Sequence, residues 1–174
     1  ISLWASELPA MEGDWLFLDL DVIVTGTLDG FFDFEPGKTF VVMQNWTQPG
    51  QGIGNTSVFR FRVGKHPYIY DRLAPEFKSI LASHNNEQIY ISRTVSEMAF
   101  WPDEWCALFK THCIPPMPQR WWKAPTRPES AHVIAFPGDP NPPDAVLGIW
   151  PAKWYKRLYK HILPAKWIAD YWHE

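Results

Sequence analysis

Two aspartates, Asp19 and Asp21, lie two residues apart in the otherwise apolar segment 15–24 (Trp-Leu-Phe-Leu-Asp-Leu-Asp-Val-Ile-Val). Burying two like charges together is costly unless a positive charge lies between them. Carboxylate oxygens suit magnesium or manganese better than zinc. The pair therefore predicts a site for Mn²⁺ or Mg²⁺. The alternative interpretation is a pair of aspartates at a sheet edge that cap backbone groups.

The elements that would position this pair are predicted from hydrophobic patterns. A segment as apolar as 15–24 is typical of a central strand buried on both faces of a parallel sheet. Because alternate side chains of a strand point the same way, we expect both carboxylates on one face, near the C-terminal end of the strand. Further strands are predicted over 40–43, 58–63 and 132–136. Helices are predicted over 4–11, 68–82, 104–110 and 151–163.

Composition limits the class of protein. The chain has 174 residues, which suits a single domain over 1–174. The net charge of −3 and pI of about 6.1 argue against electrostatic binding of nucleic acid. The cysteines, Cys106 and Cys113, lack a second pair and are expected to be reduced thiols of a cytoplasmic protein. We expect no signal peptide and no transmembrane helix, since no stretch approaches about 20 apolar residues.

Four motifs in order resemble those of GT-A-type glycosyltransferases, the glycogenin-like families and their bacterial relatives. Residues 16–28 resemble the apolar Asp-x-Asp strand and its Gly-containing turn. Residues 54–61 (Gly-Asn-Thr-Ser-Val-Phe-Arg-Phe) are similar to the Asn-Ser-Gly-Val segment that lines the donor sugar. Residues 86–88 (Asn-Glu-Gln) resemble an Asp-Gln pair near the reacting sugar. Residues 136–142 (Phe-Pro-Gly-Asp-Pro-Asn-Pro) resemble the late loop that holds the diphosphate.

The resemblance implies an α/β fold of GT-A type, with a mixed, mostly parallel sheet flanked by helices. It also implies metal-dependent transfer of a sugar from a nucleotide diphosphate sugar to a glycan or a lipid-linked acceptor. In this family a nucleoside-binding half precedes the Asp-x-Asp strand, so we expect this chain to be N-terminally truncated with respect to its relatives.

Site residues follow from the matched motifs. Mn²⁺ or Mg²⁺ is expected on Asp19 and Asp21. Pro137 occupies the place of a metal-binding histidine in some relatives, so the nearest histidine, His132, is the candidate third ligand. Glu87 is the candidate catalytic carboxylate, because a carboxylate stabilises an oxocarbenium-like sugar carbon. The residues expected to bind the donor substrate are Asn55, Thr56, Ser57, Gln88, Gly138 and Asn141.

Two other functions fit parts of the pattern. A haloacid-dehalogenase-like phosphohydrolase also has a strand followed by Asp-x-Asp, and would use Asp19 as its nucleophile. Residues 138–144 mimic the acidic loop of that class, although their prolines favour a rigid loop over a helix start. A non-catalytic module derived from the glycosyltransferase fold, binding a sugar, a nucleotide or a partner, is the second alternative.

The segment 151–163 combines four basic residues with aromatic and aliphatic ones. As a helix it would be amphipathic, with Lys153, Lys156, Arg157 and Lys160 on one side. Such a helix either packs on the domain with its lysines in solvent or lies on an anionic membrane that carries a lipid-linked acceptor. The second arrangement predicts a cytoplasmic protein with peripheral contact to the inner face of the membrane.

Overall fold

The computed structural model describes residues 2–83 and 86–173. These residues form two compact units from interleaved segments. The first unit comprises the described residues of 1–18 and 28–101, and the second comprises those of 19–27 and 102–174. Within the described ranges the strands are β1 (Asp14–Leu18), β2 (Val22–Val24), β3 (Phe40–Gln44), β4 (Gly54–Arg62), β5 (Ala99–Phe100), β6 (Cys106–Leu108) and β7 (Val133–Ala135). The α-helices are α1 (Asp29–Asp33), α2 (Pro67–Ser83), α3 (Glu87–Thr94) and α4 (Pro142–Leu147).

The first unit is a four-stranded sheet in the order β1-β4-β3-β5, accompanied by α1, α2 and α3. Strand β4 pairs antiparallel with β1 and with β3, whereas β5 pairs parallel with β3. The core of this unit is rich in aromatic rings, including Trp4, Phe40, Phe59 and Phe61. Trp4 stacks on Phe59 with the ring centroids 5.4 Å apart, which anchors the N-terminal turn on the sheet.

The second unit is a three-stranded sheet in the order β2-β7-β6, with α4 and short 3-10 turns. Strand β7 is central, antiparallel to β2 and parallel to β6. All three of its residues are buried. The core joins Ile23 of β2 to Ile134, Phe109 and Phe136, and the last two rings stack at 4.4 Å. The unit therefore depends on β2, which is contributed from far away in sequence.

The α/β class with sheets flanked by helices is confirmed, and the expectation of a mostly parallel sheet is wrong. Among the described strands, three of the five pairings are antiparallel. The connection 45–53 returns the chain directly from β3 to β4, and a connection of this length makes an antiparallel neighbour. Parallel neighbours need a crossover of a dozen or more residues, and the pairs β3–β5 and β6–β7 are joined by such connections.

The segment 15–24 is not the single buried strand that its composition predicts. It divides into β1 and β2, which belong to different sheets, and Asp19, Leu20 and Asp21 form the turn between them. The Val22 N–H donates to the Asp19 carbonyl at 3.2 Å and closes this turn. Because a charged pair is costly inside an apolar strand, the chain leaves one sheet before the pair and enters the next after it.

Other elements agree with the patterns in part. The strands predicted over 40–43, 58–63 and 132–136 and the helix over 68–82 are confirmed as β3, β4, β7 and α2. The helix expected over 104–110 is replaced by β6 and a π-helical turn, Phe109–Cys113, because β6 finds a parallel partner in β7. The helix expected over 4–11 is absent from those residues, which hold the end of the 3-10 turn Ser2–Trp4.

The segment 151–163 does not form the expected α-helix: it has a 3-10 turn over Trp154–Lys156, continues in hydrogen-bonded turns to residue 160, and is irregular on either side. Its cations recur at helical i,i+3 and i,i+4 spacing without an acidic partner, so a helix would place like charges together. The apolar residues Trp154 and Leu158 are exposed, so tertiary packing does not offset that repulsion.

Arg60 and Arg62 serve the fold of the first unit. Arg60 is fully buried, and its guanidinium donates to the carbonyls of Phe31, Phe32, Phe34, Glu35 and Lys38 at 2.7–3.0 Å. Arg62 makes a bidentate contact with Asp14, with both N···O distances 2.8 Å. Asp14 and Arg62 are the first paired residues of β1 and β4, so their ion pair joins the two strands at this end. The contact with Arg62 also lowers the pKa of Asp14.

Candidate functional site

The predicted site residues divide between the two units. Asp19, Asp21, His132, Gly138 and Asn141 belong to the second unit. Asn55, Thr56, Ser57, Glu87 and Gln88 belong to the first.

Asp19 and Asp21 line one cavity of the second unit together with Asn141. The cavity measures about 570 Å³, and Leu20, Pro142, Pro143 and Trp172 complete its wall. The sheet brings these residues together, because Val22 of β2 pairs with Ala135 of β7. The Phe136 N–H then donates to the Asp21 carbonyl at 3.0 Å, so the loop 137–141 begins beside the aspartate turn.

The electrostatics of this cavity centre on Asp21. Burial raises the pKa of Asp21, and the neighbouring carboxylate of Asp19 raises it further. A hydrogen bond from its own backbone and the cation of Lys110 act in the opposite direction. Two carboxylates in this environment favour a bound cation, and their oxygens suit Mn²⁺ or Mg²⁺.

Lys110 is a site residue that the motifs did not reveal. It lies in the turn Phe109–Cys113 directly after β6, whose last residue pairs with Ala135 of β7. Burial and Lys160 lower its pKa, while Asp139 and Asp21 act in the opposite direction. A Cβ placed on Gly138 would lie 3.8 Å from the Lys110 Nζ. The ammonium therefore lies close to the loop that resembles a diphosphate-binding segment and interacts electrostatically with Asp21.

The loop 137–141 is shaped by glycine and by the start of α4. Gly138 has a φ of +64°, a left-handed conformation that glycine adopts without strain. The Asn141 N–H donates to the Asp144 carboxylate at 3.4 Å, which fixes the loop onto the first turn of α4. Trp172 adds a buried indole Nε1 with no acceptor among the described residues.

His132 does not join the aspartates as the expected third ligand. Its Nδ1 is 2.8 Å from the Thr27 carbonyl, so this nitrogen carries the hydrogen. The His132 carbonyl accepts from the N–H groups of Thr25 and Gly26, which ties the residue to the chain after β2. Within residues 2–83 and 86–173 no three His, Cys, Asp or Glu side chains form a group that could hold a metal ion.

In the first unit, the residues predicted to meet the donor sugar lie at the start of β4. The register of β3 against β4 shifts between Val42 and Met43, so that Val42 faces Phe59 while Met43 faces Asn55. Residues 56–58 are therefore bulged out of the β3 ladder. Asn55 and Ser57 are buried, and the Asn55 Oδ1 accepts from the Ser57 N–H at 2.9 Å. Bulges of this kind are frequent next to functional sites.

Gln88 and Glu87 begin α3 in the same unit. Asn86 caps this helix, since its Oδ1 accepts from the Ile89 N–H at 3.0 Å. Glu87 is exposed, and the Gln88 Oε1 accepts from the Asn45 Nδ2 at 3.5 Å. Asn45 directly follows β3, and Gln44 pairs with Gly54 of β4. The end of β3, the start of β4 and the start of α3 therefore meet, and Asn45 is a polar member that the motifs did not reveal.

No family model matches the chain, and no curated protein matches it in sequence. Solved structures are similar to it at low sequence identity. The galactosyltransferase LgtC in complex with donor and acceptor sugar analogues is 14% identical, with a TM-score of 0.58 over 95% of this chain and 68% of that one.

Two further structures show the same similarity. An active-site mutant of LgtC is 14% identical, with a TM-score of 0.54 over 79% of this chain and 57% of the mutant. The glycosyltransferase GlyE of Streptococcus pneumoniae is 17% identical, with a TM-score of 0.52 over 77% of this chain and 36% of GlyE. The chain thus spans less than two thirds of two of these three structures. It has the α/β fold of GT-A glycosyltransferases.

Proposed function

We propose that the chain carries the diphosphate-binding and sugar-binding parts of a metal-dependent glycosyltransferase. It would move a sugar from a nucleotide diphosphate sugar to a glycan or lipid-linked acceptor. The observation that carries this proposal is the cavity of the second unit lined by Asp19, Asp21 and Asn141, with the Lys110 ammonium close to Gly138 of the neighbouring loop. The GT-A fold supports it.

The charges of this cavity suit a bound diphosphate. Asp19 and Asp21 would hold a Mn²⁺ or Mg²⁺ ion, which supplies positive charge against the phosphate oxygens. Lys110 supplies a second cation from the protein itself. When the glycosidic bond breaks, negative charge grows on the leaving phosphate oxygen, and a positioned ammonium stabilises that charge. Gly138 has no side chain, so an anion could approach its backbone closely.

The sugar-binding assignments rest on the resemblance. We propose that Asn55, Thr56, Ser57 and Gln88 contact the donor sugar, with Glu87 as the carboxylate near the reacting carbon. The bulge at 56–58 supports the proposed contacts of Thr56 and Ser57 with the donor sugar, because it frees this part of β4 from the β3 ladder. His132 is left out of the proposed metal site, because it is tied to Thr27 and forms no three-ligand group with the aspartates.

The test is Asp21→Asn, which keeps the shape of the side chain and removes one charge. We expect loss of Mn²⁺ binding, measured by electron paramagnetic resonance, and a fall of about a hundredfold or more in sugar transfer from a panel of nucleotide diphosphate sugars. Circular dichroism should remain that of the wild type. The matched control is Asp71→Asn on α2, an exposed carboxylate, which should keep both properties. Full Mn²⁺ binding and transfer in Asp21→Asn would contradict the proposal.

A further inference from the structure

A surface of the second unit joins two segments that are distant in sequence. The 3-10 turn Gln119–Trp121 contacts the segment 153–161, which is folded into consecutive turns. The Arg120 Nη1 donates to the Tyr159 carbonyl at 3.0 Å, and Trp121 stacks on His161 with the ring centroids 4.3 Å apart. Along these two segments lie six exposed large apolar residues, Trp121, Trp122, Trp154, Tyr155, Leu158 and Tyr159, which together are named here the aromatic–basic surface.

The apolar members of the aromatic–basic surface are exposed to an unusual degree. Trp154 is 81% exposed, Leu158 77% and Trp122 61%. The three remaining members are 44–53% exposed. Single exposed apolar residues are ordinary, but six of them on two segments that contact each other are typical of a surface that binds a membrane or another molecule.

The charged residues within the segment 153–161 are all basic. Between Asp144 and Asp170 the sequence contains no acidic residue, while Lys153, Lys156, Arg157 and Lys160 fall within eight positions. The Lys156 Nζ lies 5.9 Å from the centre of the Tyr155 ring, and the Lys160 Nζ lies 5.6 Å from that of Trp150. The ammonium groups therefore lie close to the aromatic rings.

We propose that the aromatic–basic surface docks on an anionic phospholipid bilayer. Trp and Tyr favour the level of the headgroups, where one part of the ring is in contact with acyl chains and another with water. Ammonium groups beside the rings would meet the phosphates at that same level. Leu158 is aliphatic and cannot stack on a sugar or a base, which favours a bilayer over a glycan or a nucleic acid. Of the helices in the described residues, none is both long and apolar enough to cross a bilayer.

The test is co-sedimentation of the whole chain with vesicles, in the absence of metal and nucleotide sugar. Its result is therefore independent of the proposed sugar transfer. We expect binding to vesicles of phosphatidylcholine with phosphatidylserine, and much weaker binding to phosphatidylcholine alone. Raising salt from about 0.1 M to about 1 M shortens the screening length from about 10 Å to about 3 Å and should release most of the protein.

Two pairs of substitutions separate the apolar and the charged contributions. Lys153→Gln with Arg157→Gln should weaken binding by about fivefold for each charge removed. Trp154→Ser with Leu158→Ser should weaken it at least as much, and should also reduce the fraction that stays bound at high salt. Matched controls from the first unit are Lys65→Gln with Lys78→Gln and Tyr70→Ser with Phe77→Ser, which replace exposed residues and should change little.

Three outcomes would overturn the proposal. The first is equal binding to neutral and anionic vesicles. The second is unchanged vesicle binding in the Trp154/Leu158 variant. If that variant also lost transfer to a soluble acceptor, the surface would be a binding site for a glycan. The third is equal weakening by the control pairs. Because the substituted side chains are exposed, we expect each variant to keep the circular dichroism spectrum and thermal midpoint of the wild type.

Discussion

Lys110 shows how a single side chain can support a site built by other residues. It lies close to the backbone of Gly138, and its charge interacts with those of Asp21, Asp139 and Lys160. In the absence of a diphosphate, its positive charge opposes the binding of a metal ion by the aspartates. With a diphosphate present it adds to the positive charge on the phosphates. The same ammonium therefore has opposite effects on two ligands.

This opposition gives a prediction for Lys110→Met. Mn²⁺ alone should bind about three- to tenfold more tightly, because a repelling charge is removed. A nucleoside diphosphate with Mn²⁺ should bind more weakly by a similar factor. Calorimetry measures both affinities in one protein preparation. Lys123→Met, an exposed lysine of the same unit, is the control and should alter neither. A shift of both affinities in one direction would show that Lys110 acts on the structure and not on the ligands.

At the scale of elements, α4 and the segment after it depend on one glycine. Gly148 ends α4 with a φ of +72°, and its N–H donates to the Ala145 carbonyl at 3.2 Å. Pro164 packs against the open side of this glycine, so that a Cβ would lie 2.8 Å from its ring Cδ. Further along, the Ala165 N–H donates to the Ala145 carbonyl at 2.9 Å. The end of α4 thus holds the C-terminal segment on the unit.

Gly148→Ala is therefore expected to destabilise the second unit by about 2–4 kcal/mol, from left-handed backbone strain and overlap with Pro164 together. Gly138→Ala is the matched comparison in the same unit. Its φ is also positive, but the nearest atom to its Cβ is the Lys110 Nζ at 3.8 Å, an ordinary contact. We expect it to cost about 1 kcal/mol. Urea unfolding measures both values, and equal losses would contradict the role given to Pro164.

At the scale of the whole molecule, the interleaving of the two units has consequences for folding. The second unit takes β2 from residues 19–27, and β2 covers one edge of β7. Ile23 is 1% exposed in its core. The Thr25 Oγ1 also donates to the Ala131 carbonyl at 2.6 Å. These contacts join residues more than a hundred positions apart, so the second unit cannot be completed by its C-terminal segment alone.

A fragment of residues 102–174 should therefore lack a cooperative unfolding transition. Without β2, strand β7 keeps an unpaired edge and the core loses Ile23. Circular dichroism during urea titration measures cooperativity. Fusing residues 19–27 to the fragment through a flexible Gly/Ser linker is the control and should restore a transition. A sharp transition in the unfused fragment would contradict this account of the unit.

Much of the fold could be predicted from local patterns. The alternation in 58–63, the short apolar runs at 40–43 and 132–136 and the helical spacing over 68–82 depend on neighbours in sequence, and each became the expected element. The aspartate pair and the order of the motifs led to the correct fold. That the pair and the loop 136–142 lie side by side follows from one strand pairing, β2 with β7.

The sequence alone determined where two carboxylates interrupt an apolar segment, since that depends only on residue types. Only the tertiary structure decided that this segment divides between two sheets, that residues 104–110 form a strand and a turn, and that Lys110 lies close to Gly138. It also left residues 151–163 without an α-helix and with most of their large side chains exposed. The physical reason is that a strand is completed by its partner and a charge is balanced by its neighbours in space, and both lie far away along the chain.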